Sequence, residues 1–279
     1  DQTDKIHAAI EKLASGETSY KVDVNDFSSL EAELAEGLNR ISDGLETALA
    51  EQVKSERLKA DLITNVSHDI KTPLTSIINY VDLIKRQHIE DPTVQKYLEV
   101  LDQKSQRLKT LTEDLVEASR ASSGNIKLEI TNIDFVELVQ QTTGEFEEKY
   151  AIRHLEIVNT LPNEVIMIEA DGRRLWRVLE NLYNNAFKYA LEGTRVYVTI
   201  EDHGADVVFT IKNVSANPLN ISPDELTERF VRGDVSRTTE GSGLGLSIAK
   251  DLTTLQGGKF ELIIDGDLFK AQITFPIKN

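Results

Sequence analysis

His68 stands in the run Asn65-Val66-Ser67-His68-Asp69-Ile70-Lys71-Thr72-Pro73-Leu74. An imidazole with one ring nitrogen oriented by an acid keeps the other free as a nucleophile, and Asp69 is placed to orient it. On a helix Thr72, four residues on, shares the face of His68. Pro73 cannot donate to the carbonyl of Asp69, and its ring bends the helix beside the histidine. A proline inside a helix costs about 3 kcal/mol, so its presence needs a reason. An arbitrary surface histidine is nevertheless more often bland than reactive.

A second cluster is Glu180-Asn181-Leu182-Tyr183-Asn184-Asn185-Ala186-Phe187-Lys188-Tyr189. Asn181 and Asn185 share one helix face. Their side-chain oxygens are hard ligands suited to Mg²⁺, a cation usually held by few protein groups plus substrate phosphates. Lys188 is placed to reach a phosphate. A third is Gly241-Ser242-Gly243-Leu244-Gly245-Leu246, where alternate glycines open an apolar helix. Such a loop lets backbone N–H groups approach phosphate, aided by the helix dipole. Each cluster alone has an ordinary reading: a solvated helix for the asparagines, a flexible loop for the glycines. The glycines are no dinucleotide fingerprint, since no strand precedes them, and they lack the Gly-Lys-Ser/Thr of a P-loop.

The elements that must carry these groups differ between the two halves. From Ala60 the core positions run Ala60, Ile63, Ser67, Ile70, Leu74, Ile77, Val81, Ile84 in alternating steps of three and four, a heptad seam. His68 follows a core position and so lies on the solvent flank. Asp91-Pro92 signals a turn into a second helix, with the seam Val94, Tyr97, Leu101, Lys104, Leu108, Leu111, Leu115, Ala118. Two such helices make an antiparallel hairpin with an apolar stripe left over. Two hairpins make a four-helix bundle, so a homodimer is expected. Upstream, the stripe Leu34, Leu38, Ile41, Leu45, Leu49, Val53 repeats steps of four, a stutter between two registers. Residues 15–28 read as a connector.

Beyond the linker Ser122-Ser123-Gly124-Asn125 the pattern turns to mixed α and β. Ile126, Leu128 and Ile130 alternate as a strand. Asp134 and Asp171 are helix caps, for helices reaching about Tyr150 and Ala190. Strands are expected near 154–159, 165–169, 195–202 and 206–213, the last two joined at His203-Gly204. Residues 214–242 form a long irregular segment, and loops of that length are commonly functional. A helix runs from Leu244 to Gly257-Gly258, and a hairpin turns at Asp265-Gly266-Asp267. The fold class is α+β multidomain: a helical hairpin, then an α/β sandwich.

The 279 residues suit two or three domains of roughly 100–200 residues each. Asp and Glu number 47 against 31 Lys and Arg, a net charge of −16, which speaks against nucleic acid as a partner. There are no cysteines, which excludes disulfides, thiolate metal sites and cysteine nucleophiles. No apolar run approaches the length of a membrane span.

Taken in this order, the clusters resemble those of bacterial sensor histidine kinases. His68 to Pro73 resembles the phospho-acceptor box, and Asn181 to Tyr189 the asparagine box. Glu228-Arg229-Phe230-Val231-Arg232-Gly233-Asp234 resembles the phenylalanine stretch of the ATP lid. Gly241 to Leu246 is similar to the second glycine box. The likeness covers about residues 46–279, with a weaker similarity of 1–45 to part of a HAMP signalling module. It implies three domains: 1–45 HAMP-like, 46–121 dimerisation and phosphotransfer hairpin, and 126–279 a Bergerat-type (GHKL) ATP-binding sandwich. It implies ATP and Mg²⁺ as cofactors. His68 would be the acceptor, with Asp69 and Thr72 assisting. Asn181 and Asn185 would hold the metal. Lys188, Tyr189, Asn213, Arg232, Gly241, Gly243, Leu244 and Gly245 would bind nucleotide.

It also implies a response regulator as phosphate recipient, and a cytoplasmic location beside a membrane reached only through segments this chain lacks. One departure stands out. Where the family reads Asp-x-Gly-x-Gly, this chain reads Asn213-Val214-Ser215-Ala216-Asn217. A neutral amide replaces the adenine-reading acid, and both glycines are missing. Two other classes therefore stand beside the kinase: a degenerate dimeric scaffold that docks a regulator, and a non-kinase ATPase of the same nucleotide fold.

Overall fold

The computed structural model describes residues 2–87, 89–124, 126–228 and 242–278. By internal contacts the chain divides into two compact units, Asp1–Leu62 and Ile63–Asn279. In the first unit α1 (Gln2–Ala14) leads through a 3-10 turn (Val24–Asp26) into α2, a helix that runs from Ser29 to Lys85 and so continues into the second unit. The connector is fastened by side chains of α2. The Asn39 amide accepts from Val22 N–H and donates to Val22 O, both at 2.9 Å, and Ser42 donates to the carbonyl of Tyr20 at 3.1 Å. The stutter region lies within unbroken helix, its Leu45, Leu49 and Val53 exposed.

In the second unit α3 (Pro92–Ser122) starts where expected, with Pro92 in the first turn and the Asp91 carboxylate accepting from Thr93 N–H at 2.8 Å. A salt bridge from Lys85 to Asp102, 2.6 Å, sets the register of the hairpin. Ala60, Ser67, Leu74 and Val81 are buried at intervals of seven, while Ile70, Ile77 and Ile84 stay exposed. On α3 the expected seam is largely left uncovered within one chain. Of its members only Ala118 is buried; Tyr97, Leu101 and Leu108 are exposed. The face buried within the chain is Leu98, Ser105, Thr112 and Ser119, again at intervals of seven. The reason is that the apolar stripe is wider than one partner helix covers, and towards its C-terminal end α3 packs on α7. Ser67 and Ser119 bury their hydroxyls without a hydrogen-bond partner.

The strand expected at 126–130 is absent: β1 spans Thr131–Asp134. The Glu129 N–H goes instead to the Asp171 carboxylate at 2.9 Å, so this stretch forms no ladder. Asp134 caps α4 (Phe135–Ala151), followed by β2 (Glu156–Thr160) and β3 (Met167–Ala170). Then come α5 (Gly172–Tyr189), β4 (Arg195–Asp202) and β5 (Asp206–Val214). Within the segment read as irregular lies α6 (Pro223–Thr227), started by a capping box between Ser222 and Glu225. Its signal, Ser-Pro-Asp-Glu, is short and easily passed over. The chain closes with α7 (Gly245–Leu255), β6 (Lys259–Asp265) and β7 (Leu268–Pro276).

The main sheet has the order β2-β4-β5-β7-β6, parallel only between β2 and β4, and β1 pairs with β3 in a separate ribbon. Alternate residues of the central strands, among them Val198, Phe209, Ile211, Ala271 and Phe275, are buried against α4, α5 and α7. This gives a two-layer sandwich with one face of the sheet covered, as alternating strands require.

Candidate functional site

A cavity of about 330 Å³ opens between α5, the end of β5, the start of α7 and one turn of α3. Asp171 begins α5 by accepting from Arg174 N–H at 3.1 Å. At the other end the Arg153 guanidinium donates to the carbonyls of Phe187, Lys188 (2.9 Å) and Ala190 (3.0 Å), groups that a helix C-terminus leaves unpaired. Arg153 thus fixes the last turn of the asparagine helix. No motif in the sequence marks it.

The structure brings Asn181, Asn185, Lys188, Tyr189, Asn213, Gly243 and Gly245 together around this cavity. Leu244 is buried as the residue before α7 and is not part of the lining. Arg232 and Gly241 lie outside the described residues. His68 and Asp69 are elsewhere, on the exposed flank of α2, with side chains 79% and 86% accessible and His68 Nδ1 3.8 Å from Asp69 Oδ1. The Thr72 hydroxyl points back to the His68 carbonyl at 3.5 Å. An acidic neighbour does not single out His68, since His203 lies 3.8 Å from Glu201 and His7 4.0 Å from Glu11.

Two buried amides in the lining are incompletely satisfied. Asn213, 2% accessible, donates through Nδ2 to Val214 O at 3.2 Å, and its Oδ1 has no partner. A buried acceptor without a donor is costly, and a ligand N–H would repay it. Asn181 has an unpartnered Nδ2. That donor suits a phosphate oxygen as it stands, and half a turn about the amide presents Oδ1 to a cation instead. A Cβ at Gly245 would meet Asn181 Oδ1 at 3.2 Å, so a side chain there would press on this amide. Gly243 has φ +71°, a conformation side chains resist. Among the described residues no group of three acidic, His or Cys side chains is placed to hold a metal, so a cation here would rest on amide oxygens and ligand phosphates.

The α3 side of the cavity escaped the sequence reading. Arg177 of α5 contacts Asp114 and Glu180 and donates to Glu117 at 2.8 Å, and Arg174 reaches Glu117 at 3.0 Å. Burial opposes the charge of Arg177, but the hydrogen bonds to Glu117 and Glu180 outweigh it and raise its pKa. Ser242 donates to Asp114 at 3.0 Å. Asp114 and Glu117 look in sequence like any charged helix face.

The Asn213 geometry refines what substitutions should do. Asn213→Leu removes the free acceptor, and nucleotide affinity should fall by roughly tenfold, the value of a buried bond left unmade. Asn213→Asp restores a charged acceptor, from which the sequence alone suggests equal or tighter binding. The second carboxylate oxygen, however, would face the Val214 carbonyl, so the expected result is affinity within about threefold of wild type. Calorimetric titration of the folded variants with ATP measures both. Undiminished binding by the Leu variant would mean that Asn213 does not touch the base.

Residues 58–124 match the family model of the His Kinase A (phospho-acceptor) domain. Residues 170–278 match that of the histidine kinase-, DNA gyrase B-, and HSP90-like ATPase. Sensor histidine kinase WalK of Bacillus subtilis (strain 168) is 28% identical over 237 residues, 83% of this chain and 39% of that protein. Full-length ShkA, solved in complex with AMPPNP, shares the fold with a TM-score of 0.67 at 23% identity, over 78% of this chain and 46% of the other. Histidine kinase ThkA, solved with the response regulator protein TrrA, gives 0.55 at 23% identity, over 84% and 67%. The chain spans 39% and 44% of the length of the first curated relatives it matches. Both family matches fall where the motifs lie, phospho-acceptor before ATPase, and on that ground the chain belongs to the sensor histidine kinases and carries their core.

Proposed function

We propose that this chain binds ATP with Mg²⁺ in the cavity beside α5 and transfers the γ-phosphoryl group to His68, from which it passes to an aspartate of a response regulator. The observation that carries the reading is the cavity itself: the two asparagines, the lysine and the glycine turn converge with an unpaired acceptor on β5, in a chain that also exposes His68. Asn213 Oδ1 accepts from the adenine amino group. Lys188 and the N–H groups opening α7 face phosphate. Asn181 and Asn185 would hold the Mg²⁺, which neutralises charge on the triphosphate.

In the transfer, the Nε2 lone pair of His68 forms the N–P bond. The bond from the γ-phosphorus to its bridging oxygen breaks, ADP leaves with that electron pair, and the Nδ1 proton passes to Asp69 or solvent. Such transfer needs mainly alignment and charge neutralisation, so an ATP domain carried on the linker after α3 is mechanically sensible. The exposed stripe of Ile70, Ile77, Ile84, Leu101 and Leu108 supports a homodimer through a four-helix bundle. The division into 1–45, 46–121 and 126–279 belongs to the same reading, as does a membrane anchor supplied by other segments. Among the described residues no helix is long and apolar enough to cross a membrane.

Incubation with γ-labelled ATP and Mg²⁺ tests the proposal. The expected product is a labelled chain that loses phosphate in acid and keeps it in alkali. An unlabelled chain that still binds nucleotide would favour the scaffold; hydrolysis without label would favour the plain ATPase.

Thr72 should serve the reverse chemistry at the regulator. Its hydroxyl lies one turn from His68 on an exposed face, where a phospho-aspartate must approach. Thr72→Ala is expected to keep autophosphorylation and to lower dephosphorylation of the regulator roughly tenfold or more, the effect of one lost bond to a charged group. A parallel fall in both activities, followed with purified phospho-regulator, would assign Thr72 to supporting the helix.

A further inference from the structure

We infer that Lys149 of α4 is a phosphate-contacting residue that takes the terminal phosphate of the nucleotide, an inference that rests on the cavity being an ATP site. Lys149 lines the cavity, although no motif marks it. Its Nζ donates to Asn184 Oδ1 at 2.6 Å, one residue before Asn185. It lies 5.2 Å from the ring centre of Phe146 and 4.8 Å from that of Phe187.

Among the described residues no carboxylate comes within 4.0 Å of this ammonium. Arg177, the neighbouring cation, is fully engaged with Asp114, Glu117 and Glu180. Lys149 therefore holds a charge in a half-buried place with one of its three donors used on a neutral amide. Burial lowers its pKa, and the more distant Glu180 offsets this only in part. A cation kept partly desolvated without a counter-ion is costly unless a ligand anion supplies one.

The position selects which phosphate. Asn213 is on the sheet, at the floor of the cavity, where the base is read. Lys149 is near Glu180, which contacts Arg177, which in turn contacts Asp114 of α3. It lines the cavity together with Thr110 and Asp114, which the helical hairpin contributes to its rim. The phosphate that moves to a histidine of that hairpin is the terminal one, so the terminal phosphate has to emerge at this rim. ADP, which lacks it, would leave Lys149 without a partner.

The test is titration of the full chain with Mg²⁺ and either the non-transferable ATP analogue AMPPNP or ADP. Lys149→Met keeps the apolar stem and the packing on Phe146 and Phe187. It should weaken AMPPNP roughly tenfold and ADP by less than about twofold, as expected when one charge-assisted bond to the terminal group is lost. Lys149→Arg should retain most of the difference. Asn184→Asp leaves the lysine in place but gives it an internal counter-ion, and should cause the same selective loss; it serves if the Met variant unfolds. Equal weakening for both nucleotides, or none for AMPPNP, overturns the inference while leaving the ATP site standing. If the unaltered chain binds neither nucleotide, the ATP reading itself fails and this one with it.

Discussion

His68→Gln should take no phosphate from labelled ATP while binding nucleotide as tightly as the unaltered chain. The side chain is 79% accessible, so its loss should leave stability within about 0.5 kcal/mol. Glutamine keeps hydrogen-bonding capacity but has no nucleophilic nitrogen. The other described histidines lack the setting: His7 is on α1, His154 sits at φ +53° after α4, and His203 is in a hairpin turn. None precedes a threonine and a proline on the exposed flank of a buried seam. Label on the variant at the level of the unaltered chain would displace His68 as acceptor, whatever the quality of the cavity.

Asn185→Asp and Lys188→Ala should each block labelling without unfolding the sandwich. Both side chains line the cavity, outside the buried core. Losing one hydrogen bond to a charged group costs about 1.5–3 kcal/mol, a factor of roughly ten to a hundred in nucleotide affinity. The aspartate adds a like charge beside the phosphates, so its effect should be the larger at low salt and should shrink as salt is raised. Thermal unfolding without ligand should change little for either variant. Near-normal affinity and labelling in both would remove α5 as the phosphate helix.

The parts of this protein legible in its sequence are those where a local rule acts alone. Asp134 and Asp171 each cap the helix expected of them, and α3 starts at the Asp91-Pro92 turn as expected, because an N-cap is satisfied within three residues. The turns at Gly204 and Gly266 follow for the same reason, with φ of +82° and +57°. The seams of α2 and α3 are each covered only in part within one chain, with Ile70 and Ile77 exposed like Leu101 and Leu108, because a heptad pattern shows that two apolar faces exist and not which partner covers which. Residues 126–130 look like a strand by alternation, yet their pairing depends on Asp171, some forty residues away. At the cavity the motif residues were readable by type and spacing. Arg153, Lys149, Asp114 and Glu117 were not, since each acts across the tertiary fold on a residue more than thirty positions distant.

The buried hydroxyls of Ser67 and Ser119 have a mechanical consequence. Ser67 is 18 positions before Lys85 and Ser119 is 17 after Asp102, so the bridged register puts them at about one level of the hairpin, that of His68, the residue after Ser67. Each unpaired hydroxyl costs roughly 1–3 kcal/mol of desolvation with nothing returned. At the same level Pro73 deprives the Asp69 carbonyl of its helical donor. Cohesion along the helix pair is therefore graded: firm where Leu74 and Val81 are buried, soft at the rung that carries the nucleophile. Amide exchange near 67–70 should outpace that near 77–81, and the imidazole rides on a compliant stretch of an otherwise stiff rod, able to tip toward a donor without the pair coming apart.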